Sequence, residues 1–182
     1  MSRRLPMYLL LDVSEDLSGD LAARLQTTVK SIRDHCLSEP MLLETGYVSL
    51  IAYAETAVQA IPLTPLEKIR PLTIKTGKSP DIGQALRFTA ECAEREFRVS
   101  TPENRGDFPP FLFVIATGGT PPRFDEEDLA RLRRIKWGGI GVFLSEGSGH
   151  AEEWKILTDD VFADWESAAA MVPWLALRPW LS

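Results

Sequence analysis

The stretch Leu9-Leu10-Leu11-Asp12-Val13-Ser14-Glu15-Asp16 decides the reading of this chain. An apolar run ends on a carboxylate, a hydroxyl follows two residues later, and a second carboxylate two further on. Alternate residues of an extended segment point the same way. Asp12, Ser14 and Asp16 can therefore converge three oxygens at the end of a buried strand if the loop stays extended. Oxygens of this kind suit a hard cation such as Mg²⁺. The run from Met7 to Leu11 has no polar interruption, the pattern of a strand buried on both faces of a parallel sheet.

Working outward, the polar loop after Asp12 gives way to a helical pattern. Leu21, Leu25, Val29, Ile32 and Cys36 share one face, with Ser18 as N-cap, and Glu39-Pro40 ends that helix. Tyr47 to Ala54 is the next strand. Ala57 to Ile61 follows after Glu55-Thr56 at the spacing of a tight hairpin, so one antiparallel strand is expected at an edge. Pro62 to Thr76 reads as a connector with an amphipathic piece around Leu66–Ile69. Ser79-Pro80-Asp81 then has the form of a helix start: a cap, a proline at the first helical position and an acid in the first turn. Ile82, Leu86, Ala90, Ala93 and Phe97 continue one apolar face.

Residues 99–110 are polar and rich in Pro and Gly, an exposed loop. Phe111 to Ala116 is a second unbroken apolar strand, ending in Thr117-Gly118-Gly119-Thr120-Pro121. Asp125 is placed to cap a helix reaching about Ile135. Gly138 to Leu144 is a third buried strand whose glycines imply close backbone approach. A short helix from Ala151 to Leu157, a strand at Val161-Phe162 and an aromatic tail complete the order. This alternation of strands and helices predicts a three-layer α/β/α sandwich, with a mostly parallel central sheet and one antiparallel edge strand. Residues 1–182 are expected to form a single domain, since 182 residues suit one core. In such sheets ligands bind beyond the carboxyl ends of the strands. The loops after Leu11, Thr76 and Ala116 share that edge.

Composition narrows the partner class. The net charge of −6 argues against general affinity for nucleic acid or an anionic membrane surface. Arg131, Arg133, Arg134 and Lys136 cluster on a helix flank and read as a solvated face. The two cysteines, Cys36 and Cys92, have no metal-ligand spacing and fall on apolar helix positions, so buried free thiols are expected. No stretch has the length of a secretory or membrane-spanning segment, and a cytoplasmic location is expected. Trp154, Trp165, Trp174 and Trp180 all fall in the last thirty residues. They are expected mainly to close the core, with one or two as anchors for a partner.

Three segments, in order and spacing, resemble von Willebrand factor A (VWA) domains. They are Arg4-Leu5-Pro6-Met7-Tyr8-Leu9-Leu10-Leu11-Asp12, the helix start Ile82-Gly83-Gln84-Ala85-Leu86, and Phe113-Val114-Ile115-Ala116-Thr117-Gly118-Gly119-Thr120-Pro121. Within that family the chain is most similar to the TerY proteins of tellurium-resistance operons. The resemblance implies a metal-ion-dependent adhesion site built by three loops. The first supplies Asp-x-Ser-x-Ser; Asp12 and Ser14 match, and Asp16 replaces the last Ser. The second supplies a Thr, where Pro80 stands here, with Ser79 or Asp81 as substitutes if the loop shifts. The third supplies an Asp in a Thr-Asp-Gly run, where Gly118 stands here. The expected site is thus degenerate, and no cofactor is expected unless Mg²⁺ is retained by Asp12, Ser14 and Asp16 with Ser79 or Asp81.

Function follows as an expectation of the same kind. The resemblance implies a non-enzymatic, cytosolic protein-interaction module acting beside a kinase-like protein and a phosphatase in a stress-response or tellurium-resistance cluster. Its expected partner-binding surface is Asp16, Lys78, Ser79, Asp81, Thr117 and Thr120. Two alternatives remain open: a working Mg²⁺-dependent adhesion site with substituted ligands, and a metal-assisted phosphohydrolase using Asp12. Strand-end aspartyl-phosphate enzymes want a second acid two residues on, where Ser14 stands. Gly77-Lys78-Ser79 has the end of a phosphate-binding loop but not its first glycine, since Leu72 holds that place. His35 and His150 have no evident catalytic partner.

Overall fold

The computed structural model describes residues 3–14, 23, 27, 30, 33–34, 36–70, 75–117, 119–144 and 149–163. Six strands form one sheet. They are β1 (Leu5–Asp12), β2 (Gly46–Tyr53), β3 (Ala57–Pro65), β4 (Phe111–Ala116), β5 (Gly139–Leu144) and β6 (Val161–Phe162). The described helices are α1 (Pro40–Thr45), α2 (Ile82–Glu96), α3 (Glu126–Arg133) and α4 (Ala151–Trp154), with a 3-10 turn at Leu66–Lys68.

The sheet order is β3-β2-β1-β4-β5-β6. Every neighbouring pair is parallel except β2 with β3. The hairpin reading of Tyr47 to Ile61 therefore holds, and β3 runs on to Pro65. Proline is tolerated there because β3 is an edge strand, where a missing N–H leaves no ladder partner unsatisfied. A register shift between Val48 and Ile51 marks a local irregularity in the pairing.

Strand parity sorts the core into two faces. Leu5, Met7, Leu9 and Leu11 join Cys36, Leu42, Phe111, Phe113 and Ile115 on one side. Tyr8 and Leu10 join Leu86, Ala90, Leu112, Val114, Leu132 and Trp154 on the other. All eight residues of β1 are buried, as its unbroken apolar run requires. Helix α2 seals the second face through Ile82, Ala85, Leu86, Ala90 and Ala93. Leu86 alone, fully buried, contributes about 1.5–3 kcal/mol through removal of its side chain from water.

Local boundaries differ from the sequence reading in several places, among them the end of α4, at Trp154 rather than Leu157. Glu39-Pro40 does not simply end a helix: Pro40 opens α1, a short helix leading into β2. Proline suits that first position because its missing N–H would have no partner there anyway. Helix α2 is capped by Asp81 rather than Ser79; its carboxylate accepts from Gln84 N at 3.0 Å. Helix α3 ends at Arg133 rather than near Ile135. Asp125 caps it as expected, in a reciprocal box with Asp128. The expected face Leu21, Leu25, Val29, Ile32 lies outside the described residues, but Thr27 Oγ1 donates to Ala23 O at helical spacing.

Two polar clusters tie the layers together. Glu96 at the end of α2 accepts from Tyr8 Oη at 3.1 Å and from Gln59 Nε2 at 2.9 Å, joining the helix to β1 and β3. At the amino ends of the strands, Arg4 grips Asp107 through Nε at 2.8 Å and Nη2 at 2.6 Å, both groups buried. Cys36 and Cys92 are free and buried, as expected. Within the basic stretch, Arg131 pairs with Glu91 and Glu94 of α2, and Arg133 donates to the Ile156 carbonyl at 3.2 Å. No described helix is long and apolar enough to cross a membrane.

Candidate functional site

Register brings the strand ends level. Asp12 stands opposite Tyr53 on β2, and Leu11 opposite Ile115 on β4. The chain beyond each strand therefore emerges at one edge. Val13 N donates to Tyr53 O at 2.9 Å, carrying the extended path past Asp12. Ser14 then pairs with Gly77 in a parallel bridge, with Gly77 N donating to Val13 O at 2.8 Å. Asp81 N donates to Ala54 O at 2.8 Å. These bonds dock the loop before α2 against both β1 and the β2–β3 turn.

Gly77 is needed at this junction because of close approach. A Cβ there would lie 2.5 Å from Ala54 Cβ and 2.9 Å from Glu55 Oε2. Glu55's own backbone N–H, and then the Lys78 amide that its carboxylate accepts, hold its pKa below the ordinary value.

The edge forms a cleft of about 620 Å³. Asp12, Ser79, Asp81, Thr117 and Thr120 line it, so five of the eight residues singled out from sequence meet there. Ser14 adjoins them through Asp12. Lys78 is exposed and does not line the cleft. Asp16 and Gly118 lie outside the described residues, as do Trp165, Trp174, Trp180 and His35. His150 is at the surface, 3.2 Å from Glu153.

Asp12 is the buried centre of the cleft, 2% exposed. Its Oδ1 accepts from Ser14 N at 2.9 Å, a local turn bond. Its Oδ2 accepts from Thr117 Oγ1 at a long 3.5 Å. Burial pushes the carboxyl above its ordinary pKa; the Ser14 hydroxyl and amide, and then Thr117, pull the other way without cancelling it. The Ser14 hydroxyl is near enough to Asp12 to favour its charged form but falls outside hydrogen-bond geometry. On a residue 1% exposed, it has no partner among the described residues. Beside Asp12, the fully buried Tyr53 phenol is raised well above its usual range by desolvation and by the carboxylate.

The rest of the lining was not legible as site. Tyr53, Glu55, Ile82, Arg123 and Trp154 reach the cleft from β2, its turn, α2, the segment before α3, and α4. Trp154 is 3% exposed and packs edge-on to Phe124 at 5.7 Å. It is core, as expected for most of the tryptophans. Tyr53 and Glu55 could have been found only by knowing that β2 lies beside β1.

The described residues do not make up an octahedral oxygen set. Asp12 and Ser14 are in place, but Pro80 carries no side-chain oxygen and Asp81 Oδ1 caps α2. Among the described residues, no group of three or more His, Cys, Asp or Glu side chains could hold a metal ion.

A mostly parallel sheet with helices on both faces and a polar cleft at its carboxyl edge defines a doubly wound α/β class. Comparison with solved structures refines this. The chain is similar to BatB from Bacteroides thetaiotaomicron, with a TM-score of 0.64 at 16% identity over 96% of this chain and 98% of that one. It is similar to the ArnB paralog VWA2 from Sulfolobus acidocaldarius, with a TM-score of 0.60 at 12% identity over 94% of this chain and 44% of that one. It is also similar to proximal thread matrix protein 1 from the mussel byssus, with a TM-score of 0.63 at 14% identity over 97% of this chain and 47% of that one. This chain thus spans somewhat less than half of the last two. The sequence matches no protein-family model and no curated protein. The fold is of VWA type.

Proposed function

We propose that this chain is a non-enzymatic protein-interaction module of VWA type, docking its partner on the loops at the carboxyl edge of the sheet. One observation carries the reading: three loops from separate parts of the chain are tied together around the buried Asp12. The Asp12 carboxylate takes the Ser14 amide at 2.9 Å and the Thr117 hydroxyl at 3.5 Å, which ties the first and third loops together at this edge. No described histidine or second carboxylate stands within hydrogen-bond reach of it as an acid–base partner, which favours binding over turnover. Lys78, Ser79, Asp81, Thr117 and Thr120 make up the described part of the proposed partner surface, to which the sequence reading adds Asp16, outside the described residues.

The finer reading rests on the resemblance of the segments around Asp12, Ile82 and Thr117 to TerY proteins. On that basis the module works in the cytosol beside a kinase-like protein and a phosphatase, in a tellurium-resistance or stress-response complex, and needs no metal. The test is affinity capture with the full chain and with the double variant Ser79→Arg, Thr120→Arg, each with and without EDTA. A partner held by the native chain, indifferent to EDTA and lost with the double variant, supports the reading. A partner released strictly by EDTA overturns the metal-free form, and one retained by the double variant overturns the docking edge.

A further inference from the structure

The sequence holds two Pro-Pro pairs, Pro109-Pro110 and Pro121-Pro122. The first is spent on the fold: Pro110 is buried, and its carbonyl accepts from Gly138 N at 2.8 Å, just before β5. The second is not. Pro121 is exposed and Pro122 half-buried, between exposed Thr120 and exposed Arg123, and residues 121–125 form neither helix nor strand. Among the described residues, no hydrogen bond joins the backbone of 120–123 to the rest of the chain, and Arg123 has no ion pair.

The conformation of this segment is nonetheless set by its own covalent structure. A proline ring fixes φ, and the residue before a proline is pushed into the extended region. Thr120 and Pro121 both precede a proline, so 120–122 make about one turn of polyproline II helix. Such a helix leaves its carbonyls unbonded and repeats about every three residues, so Thr120 and Arg123 fall on one edge of it. A segment already restrained in this way has little freedom left to lose on binding. The matching surface is a groove lined by aromatic rings, which packs on the proline rings. Arg123 adds a cation at one end, whose complement is a carboxylate beside the groove.

We propose that Thr120-Pro121-Pro122-Arg123 is the part of the carboxyl edge that enters the partner, seated in an aromatic-lined groove with a carboxylate at its Arg123 end. The proposal rests on the docking reading given above and names the chemistry of that partner. All four residues border the cleft, so the groove approaches from the side on which Ser79 and Asp81 stand. The chain thus presents the ligand, and the partner supplies the pocket.

The test is affinity capture on the full chain, followed by elution with the blocked peptide Thr-Pro-Pro-Arg or with its scrambled form Pro-Arg-Thr-Pro. A captured protein should leave with the first peptide and stay with the second. The double variant Pro121→Ala, Pro122→Ala releases the backbone restraint and should bind that protein about tenfold or more less tightly. Arg123→Glu reverses the cation on an exposed side chain and should weaken binding about fivefold or more, with the native chain's own binding falling as salt is added. Thermal unfolding checks that both variants keep the fold; should the double variant lose it, Arg123→Glu and the two peptides still decide. A captured protein that resists Thr-Pro-Pro-Arg, leaves equally with both peptides, or binds either folded variant as tightly as the native chain overturns the proposal and leaves the docking edge standing. If the native chain captures nothing, the docking edge falls and the proposal with it.

Discussion

Gly77→Ala probes the joint that brings the loops together, and two effects of opposite sign compete in it. Gly77 is not among the described residues with positive φ, so alanine meets no backbone strain. In open space the substitution would stabilise the fold by about 0.4–1 kcal/mol, through a less flexible unfolded chain. Here the new methyl would sit 2.5 Å from Ala54 Cβ. Carbon atoms pack at about 3.5–4.0 Å, so the loop must retreat by about 1 Å. Overpacking of this size costs about 1–3 kcal/mol. The clash therefore wins, with net destabilisation of about 1–2 kcal/mol, which for a chain of this size lowers Tm by about 2–8 °C. Because the retreat breaks the Gly77–Val13 and Lys78–Glu55 bonds, the Lys78 amide should also exchange faster with solvent. Thermal unfolding and hydrogen exchange read the two effects. An unchanged or raised Tm would refute the reasoning, since it would mean that the loop does not rest against the β2–β3 turn.

Other expectations follow from the same geometry. Asp12 has a raised pKa in the fold, so ionising it costs stability as pH climbs through the ordinary carboxylate range towards the folded value. Asp12→Asn does not titrate there, and its Tm relative to the native chain should improve from acid to neutral pH; a difference that is flat or falls with pH contradicts the burial argument. Asp107→Ala should destabilise by about 3–5 kcal/mol, because Arg4 would be left buried and unpaired; denaturant unfolding with a loss below about 1 kcal/mol would show that water solvates Arg4 instead. Millimolar Mg²⁺ should leave Tm unchanged, since a ligand of the folded state must raise it; a clear rise would assign the site to metal.

Much of the fold was written locally. The apolar runs of β1, β4 and β5 had to be strands covered on both faces, and the Glu55-Thr56 spacing had to turn back on itself. Asp125 announced its helix start through its position alone. The second helix start was harder, because Ser79 and Asp81 both suit a cap. Asp81 won because its backbone N–H is also wanted by Ala54 O, at the β2–β3 turn. That competition is settled by tertiary packing, which no local window contains. The site divides in the same way. Asp12, Ser14 and Thr117 were legible because strand ends before loops are where such sheets bind. Tyr53, Glu55 and Trp154 were not, because their place depends on strand order and on α4 folding back over the edge. The burial of Ser14 was illegible, because the bridge to Gly77 beside it joins distant parts of the chain.

The central claim is that the carboxyl edge, centred on Asp12, is the face that meets a partner. Site-specific photo-crosslinking in living cells tests it directly, with the crosslinker placed at Thr120 on the cleft or at Val99, which is 71% exposed in the loop before β4 at the far end of the sheet. A discrete adduct is expected from position 120 and none from 99. An adduct from 99 with none from 120 would contradict it.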